Sequence, residues 1–272
     1  MTDHRVLLPE NVWSFDGTIE SAAAAIKRAG ANLPLFILDA SDRSGELLIG
    51  QARAARADSE LIAVSSGLGP LGRACLADFA RQLAPAHDPG LIVAVLREIE
   101  RAARNFVITG KPGGLKRPNP NIWQHLAGIL PSRTAIAELN GSVKTFGRKG
   151  IPSSAAGGFA LHNMALHSTV PQDEAGACRT LLDEFCRIAA PAQYAAHPQL
   201  TEAQSEWWGP HDAVEIVAVP ADISPVIAAV KQKARTCPWC QLSTLSDVCS
   251  YCSAPGTAAH PIPRSTLKGQ FA

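Results

Sequence analysis

Four cysteines near the carboxyl end of the chain have the residue type and spacing of a metal site. They form two Cys-x-x-Cys pairs, Cys237–Cys240 and Cys249–Cys252, with eight residues between the pairs. Thiolates bind Zn²⁺ tetrahedrally, and each Cys-x-x-Cys turn can set two sulfurs on one metal. Since four thiolates leave no open position, the spacing predicts a structural zinc ribbon over residues 236–254 and no catalytic metal. A redox dithiol, an iron–sulfur site and cysteines that bind no metal are the alternatives.

A glycine-rich turn is the second feature whose residues could do chemistry. Gly67, Gly69 and Gly72 spell G-x-G-x-x-G between an apolar run, Leu61-Ile-Ala-Val64, and a predicted helix. Glycines allow close backbone approach, and a helix N-terminus attracts a phosphate. Together with Ser66, the turn therefore predicts a phosphate cradle for a nucleotide, either ATP or NAD(P). A tight strand–helix turn without any ligand explains the same residues equally well.

A basic loop is the third candidate. The segment 109–118 follows a predicted strand and carries Lys111, Lys116 and Arg117. Open α/β sheets bind ligands at the carboxyl ends of their strands, so these side chains are predicted to add charge to a phosphate site. The wider region 101–149 holds nine Lys or Arg against one acid, a bias that also suits a nucleic-acid backbone. The alternative is a solvated loop whose cations bind nothing.

Alternating strands and helices are predicted to position these groups. Short apolar runs predict buried strands at 35–38, 61–64, 106–108 and 213–219. Helical spacing and capping residues predict helices at 17–30, 44–57, 71–83, 121–130, 174–189 and 224–235. Residues 91–104 fit either a strand followed by a helix or one helix, and 142–146 fit an edge strand. The predicted fold class is α/β, with a Rossmann-like parallel or mixed sheet, flanking helices and a small C-terminal zinc ribbon.

The 272 residues are predicted to fall into four parts. These are an α/β nucleotide- or phosphate-binding domain at 1–140, a mixed α/β second half at 141–235, the zinc ribbon at 236–254 and a loose tail at 255–272. No apolar run has the length that a membrane helix needs. The spacing of the three further cysteines does not suggest disulfide pairs. This favours a reducing compartment and predicts a cytoplasmic protein.

Short motifs in the first quarter of the chain follow a recognisable order: a strand ending in Asp-Ala, a helix, and a strand ending in a Gly-Ser-x-Gly-Leu-like turn. The residues concerned are Gly17-Thr-Ile19 with 22–30, Leu38-Asp39-Ala40, Leu47 with Ile49-Gly50 and Ala52, and Ser65-Ser66-Gly67-Leu68. In this order the run from Arg5 to about Cys75 resembles the four-carbon acid sugar kinase family. The resemblance implies an α/β domain and favours a phosphorylated ligand. It does not extend to kinase activity, because the amino-terminal Asp-Asp-x-Thr-Gly signature is absent.

These features predict a protein that binds a nucleotide or another phosphorylated small molecule. No nucleophile or general base stands out, so an enzymatic reaction would be open between kinase-like phosphoryl transfer and NAD(P)-dependent oxidoreduction. The alternative is a non-catalytic accessory factor that uses region 101–149 and the zinc ribbon to bind a nucleic acid or a protein partner.

Overall fold

The structure is a computed structural model that describes residues 35–40, 62–118, 134–141, 143–146, 150–152, 157–171, 176–198, 201–249 and 254–255. The helices predicted at 17–30, 44–57 and 121–130 lie outside these residues, as do Cys252 and most of the predicted tail.

Ten strands and five α-helices are described. The strands are β1 (Leu35–Asp39), β2 (Ile62–Ser66), β3 (Arg104–Thr109), β4 (Thr134–Glu138), β5 (Val143–Phe146), β6 (Met164–Thr169), β7 (Gln193–His197), β8 (Val214–Pro220), β9 (Arg235–Thr236) and β10 (Ser243–Thr244). The helices are α1 (Pro70–Leu83), α2 (Pro89–Ala102), α3 (Ala177–Ala189), α4 (Thr201–Trp208) and α5 (Ser224–Lys233).

The described residues fall into two compact units. The first contains Ser66–Leu76 and the described part of Ile99–Ile223, and the second contains the described residues before Ser66, Ala77–Glu98 and those from Ser224 onwards. The four-part division drawn from the sequence stays a prediction.

A six-stranded mixed sheet forms the first unit, in the order β5-β4-β3-β8-β6-β7. Neighbouring strands pair antiparallel, as Phe106 opposite Glu138 and Ile216 shows, except for β6 and β7, which are parallel. The mixed α/β class is thus confirmed, and of the two predicted sheet types, parallel or mixed, the sheet is mixed. The Rossmann-like parallel arrangement is wrong. It followed from strand–helix alternation, and the unpredicted strands β4, β6 and β7 break that alternation.

Both faces of this sheet are covered, because successive side chains of a strand point to opposite faces. Phe106 on β3 packs on the α3 side, where its ring meets that of Phe185 with centroids 5.2 Å apart. Val107, the next residue, packs on the other side with Trp207 and Trp208 of α4. The middle strands of the sheet are therefore buried on both faces.

The second unit contains the β1–β2 pair and a short antiparallel hairpin in which β9 pairs with β10. This hairpin flanks the first Cys-x-x-Cys pair. The segment at 91–104, which the sequence left open, is helical from Pro89 to Ala102. Within the part of the chain that the structure describes, no helix is both long and apolar enough to cross a membrane.

Candidate functional site

The glycine-rich turn donates its backbone N–H groups to side chains of its own unit. Gly67 donates to Glu100 Oε1 at 2.7 Å, and Gly69 donates to Asn105 Oδ1 at 2.7 Å. The Ser66 hydroxyl also donates to Glu100 Oε1, at 2.8 Å, and accepts from the N–H of Leu68 at 3.2 Å.

Glu215 completes this arrangement at the start of α1. Its carboxylate accepts from the N–H of Leu71 at 3.1 Å, from the N–H of Gly72 at 3.4 Å and from Asn105 Nδ2 at 3.2 Å. The side chain comes from the centre of the sheet, on β8, and is fully buried. The first N–H groups of a helix lack acceptors within the helix, and here the protein supplies an acceptor itself.

Burial raises the pKa of Glu215, and the hydrogen bonds from Leu71, Asn105 and Gly72 oppose this effect only in part. The indole of Trp208 also lowers this pKa, although its N–H makes no hydrogen bond of standard geometry. Desolvation penalises the charged carboxylate, whereas donors that point at it favour the charge.

The space beside the glycine-rich turn is filled by side chains of the protein, just as its backbone N–H donors are occupied by them. A Cβ on Gly69 would lie 2.4 Å from Glu215 Oε1 and 3.0 Å from Asn105 Oδ1. Glycine is needed here so that the backbone can approach these two side chains. The close approach that predicted a phosphate cradle is therefore used for contacts within the protein, and the carboxyl groups of Glu100 and Glu215 accept the N–H donors that a phosphate would need.

The basic loop docks on α4. The N–H of Lys116 donates to the carbonyl of Trp208 at 2.8 Å, and its Nζ donates to the carbonyl of Glu206 at 3.2 Å. Lys111 is exposed next to a short 3₁₀ turn, Pro112–Gly114. At the start of the loop, Asp212 accepts from the N–H of Gly110 at 3.2 Å. These contacts fix the loop on the described part of the first unit.

Trp207 joins the basic loop to the helix that follows the glycine-rich turn. The guanidinium carbon of Arg117 lies 3.8 Å from the centroid of its ring, and that of Arg73, on α1, lies 4.7 Å from it. Arg73 also donates to the carbonyl of Leu68 at 3.1 Å. Two of the sequence candidates, the turn and the loop, are thus brought together in one unit. Their meeting point is the ring of Trp207.

Three of the four cysteines predicted to bind metal form a buried cluster in the second unit. The ligand atoms of Cys237, Cys240 and Cys249 all lie within 4.8 Å of one another, and the Sγ atoms of Cys240 and Cys249 are 3.7 Å apart. Trp239 and Leu242 pack against them. This donor set fits a soft tetrahedral metal ion.

The hairpin that holds these cysteines is tied to the N-terminus of α2 by Asp88. This carboxylate accepts from the N–H groups of Gly90 at 3.0 Å and Leu91 at 3.2 Å, as a helix cap does. It also accepts from the N–H of Ser243 at 3.0 Å and from its hydroxyl at 2.8 Å. Burial works to raise the pKa of Asp88, but the hydrogen bonds from Ser243, Leu91 and Gly90 outweigh it and lower the pKa.

Sequence reasoning missed Glu215, Asn105 and Arg73. Glu215 had a usable signal, because it is the one charged residue in the apolar run 213–219. A charge in such a run is costly unless it is hydrogen-bonded, so it marks a buried contact. Arg73 had no comparable signal, since the tryptophan that it contacts is distant in sequence.

No protein-family model and no curated protein matches this sequence. Several solved structures do match the fold. A DegV family protein from Eubacterium eligens, loaded with heptadecanoic acid, is 8% identical with a TM-score of 0.54, over 74% of this chain and 77% of that one. A fat acid (stearic acid)-binding protein from Eubacterium ventriosum is 12% identical with a TM-score of 0.55, over 75% and 76% of the two chains. A DegV family protein from Thermus thermophilus, described by its fatty acid binding, is 17% identical with a TM-score of 0.51, over 75% and 77%.

At these identities the similarity shows the fold, which is that of DegV family proteins. The resemblance to four-carbon acid sugar kinases is therefore wrong, since the similarity over three quarters of the chain is to DegV proteins. The predicted nucleotide or phosphorylated ligand, with ATP or NAD(P) as its cofactor, is wrong on the same ground. The alternative of a nucleic-acid- or protein-binding accessory factor is likewise replaced.

Proposed function

We propose that this protein binds a long-chain fatty acid. The observation that carries the proposal is the fold, because proteins that match about three quarters of the chain are described as fatty acid binding or as loaded with a fatty acid. A fatty acid is an anion with an apolar tail. The cationic side chains of Lys111, Lys116 and Arg117, which predicted a bound anion, suit a carboxylate as well as a phosphate.

Lipid analysis of the purified protein tests this proposal. Protein purified without detergent is extracted with organic solvent, and fatty acids are quantified by mass spectrometry against the protein concentration. We expect about one fatty acid per chain before removal of lipid. After removal, palmitic acid should raise the unfolding temperature in a concentration-dependent manner. Equal concentrations of palmitic acid methyl ester and of ATP serve as comparisons. A lipid-free protein whose unfolding is indifferent to fatty acids of every chain length would exclude the function.

We further propose that Cys237, Cys240, Cys249 and Cys252 hold one structural zinc ion, as the ribbon predicted from the sequence requires. The separation of 3.7 Å between the sulfurs of Cys240 and Cys249 supports this. Two thiolates on one tetrahedral zinc, each about 2.3 Å from the metal, lie roughly 3.8 Å apart. Cys252 lies outside the described residues and enters from its spacing alone.

Elemental analysis tests the zinc proposal. We expect about one zinc per chain in the wild type and substantially less in Cys249→Ser. Cys178→Ser is the matched control, since Cys178 lies on α3 in the first unit and should leave the zinc content unchanged. A folded wild-type protein with no zinc would contradict the proposal, and iron in its place would favour the iron–sulfur alternative.

A further inference from the structure

A cavity of about 380 Å³ lies wholly within the second unit. Its walls are the connection between α1 and α2, the end of α5, and the hairpin of β9 and β10. A volume of this size suits a small molecule, and several polar groups that line one cavity are typical of a binding site. The polar side chains that line it are His87, Asp88, Lys231, Arg235, Thr236 and Ser243.

Contacts within the protein hold these walls in place. Thr236 and Ser243 lie opposite each other in the hairpin. The N–H and the hydroxyl of Ser243 both donate to Asp88, which also caps α2 through the N–H of Leu91. The cavity is therefore formed before any ligand enters, and a ligand would not have to order its walls.

The cavity lining carries charges of both signs. Lys231 is exposed, and no described residue pairs with it. Arg235 pairs with Asp247, whose side chain is 87% exposed, so water weakens this pair. A guanidinium has five N–H donors, and the pair with Asp247 leaves some of them for a second acceptor. The opposite charge in the lining comes from Asp88.

The Asp88 carboxylate can accept one more hydrogen bond. Its Oδ1 accepts three N–H groups, those of Gly90, Leu91 and Ser243, whereas its Oδ2 accepts only the Ser243 hydroxyl among the described residues. Each carboxylate oxygen has two lone pairs, so Oδ2 has room for a further donor. Burial opposes the charge of Asp88, but these hydrogen bonds outweigh it and lower the pKa, so the group is ionised at neutral pH.

We propose that this cavity binds a free α-amino acid, whose carboxylate contacts Lys231 and Arg235 and whose ammonium group donates to Asp88 Oδ2. Together with Asp247, the lining has two cations and two carboxylates, and a ligand that carries both charges matches that balance. A simple anion would meet Asp88, and a simple cation would meet Lys231. The site is additional to fatty acid binding and does not depend on it.

The apolar part of the lining indicates which amino acids fit. Leu91 is buried, and Ala234 at the end of α5 is half-buried. A small aliphatic side chain, such as that of alanine or valine, would cover these groups without bringing in a third charge.

Titration calorimetry with L-alanine and L-valine tests the site. Lys231→Met keeps the aliphatic stem but removes the charge, so it should weaken binding by about 10- to 100-fold, the usual effect of losing a hydrogen bond to a charged group. Lys233→Met is the matched control, because Lys233 is an exposed lysine in the same last turn of α5 and does not line the cavity. It should bind as the wild type does.

Asp88→Asn examines the other end of the ligand. Asparagine is also a good helix cap, so this variant should stay folded, which its unfolding temperature without ligand would show. It has no charge for the ammonium group, so it should also weaken amino acid binding by about 10- to 100-fold. Acetate and methylamine each carry one of the two charges, and each should bind far more weakly than alanine.

Three outcomes would overturn the assignment. The first is a wild-type protein that binds neither alanine nor valine. The second is acetate that binds as tightly as alanine, which would show a simple anion site. The third is equal weakening by Lys231→Met and Lys233→Met, which would show a general effect of surface charge. Each of these results leaves the lipid content of the purified protein unchanged, so the fatty acid proposal is tested separately.

Discussion

The carboxylate of Glu215 accepts a 3.1 Å hydrogen bond from the backbone N–H of Leu71, a residue 144 positions earlier in the chain. This contact joins the centre of the six-stranded sheet to the start of α1. It places a carboxyl group where a nucleotide-binding turn would hold its phosphate. The same G-x-G-x-x-G spacing therefore supports a contact within the protein, and the motif alone does not reveal which role it has.

Glu215→Gln should change the pH dependence of folding. Because burial raises its pKa above the ordinary value of 4.5, the folded protein keeps this proton at a pH where the unfolded chain has lost it. Its contribution to stability is full below that ordinary, unfolded-state value of 4.5 and is lost as the pH rises through the folded-state pKa. Denaturant unfolding at a series of pH values should show this decline in the wild type and a flatter profile in Glu215→Gln.

Glu206→Gln is the control for that experiment, since Glu206 is exposed on α4. Its unfolding free energy should follow the wild-type pH profile. Parallel profiles for all three proteins would show that Glu215 does not have a raised pKa.

Gly69→Ala should destabilise the protein by about 2–4 kcal/mol, from overpacking and the loss of a hydrogen bond. The new Cβ would lie 2.4 Å from Glu215 Oε1, and that carboxylate has little freedom to move because it is buried and hydrogen-bonded. Gly67→Ala is the matched control two residues away. Its Cβ would lie 3.8 Å from Glu100 Oε1, an ordinary contact, so its cost should stay below about 1 kcal/mol. Equal unfolding midpoints for the two variants in urea would contradict the described packing of the turn.

The elements that the sequence predicted correctly are those with strong local patterns. Leu181, Leu182 and Phe185 form the apolar stripe of α3, and the helix runs from Ala177 to Ala189 against a prediction of 174–189. β8 was found because it is a long apolar run that is buried on both faces. In each case burial on a single element determines the pattern, so the chain itself carries the information.

The elements that it missed have weak patterns. β7, with the sequence QYAAH, is an edge strand that is largely exposed, so no alternation of apolar and polar residues marks it. β4 contains two small alanines, and α4 is only eight residues long. Because these strands were not predicted, the antiparallel pairing of most of the sheet was not predicted either. The contacts of Trp207 with Arg73 and Arg117 join three separate segments, and a single sequence does not encode such pairings locally.

The thiol of Cys186 should react slowly with alkylating agents in the folded protein. Burial, and then the nearby charge of Asp183, raises its pKa to about 11, so only a small fraction is the reactive thiolate near pH 8. Peptide mass spectrometry after iodoacetamide treatment should show a rate that increases with pH toward that value. In urea the same thiol should react at the rate of an ordinary cysteine. A fast reaction in the native protein at pH 8 would contradict the raised pKa.

Asp88→Ala should destabilise the N-terminus of α2 and the adjoining hairpin by about 1–2 kcal/mol at neutral pH, the usual cost of losing a helix cap. Because its pKa is lowered, Asp88 contributes this stability above the unfolded-state value of about 3.9, and the contribution is lost as the pH falls through the folded-state pKa. The gap in unfolding free energy between wild type and variant should therefore close below about pH 4.

Hydrogen exchange should locate the lost stability at Gly90, Leu91 and Ser243, because the Asp88 carboxylate accepts hydrogen bonds from their N–H groups. Asp78→Ala is the control, since its exposed 3.9 Å pair with Arg81 contributes little. A constant gap from pH 7 to pH 3 would mean that the loss comes from packing and not from the charged cap.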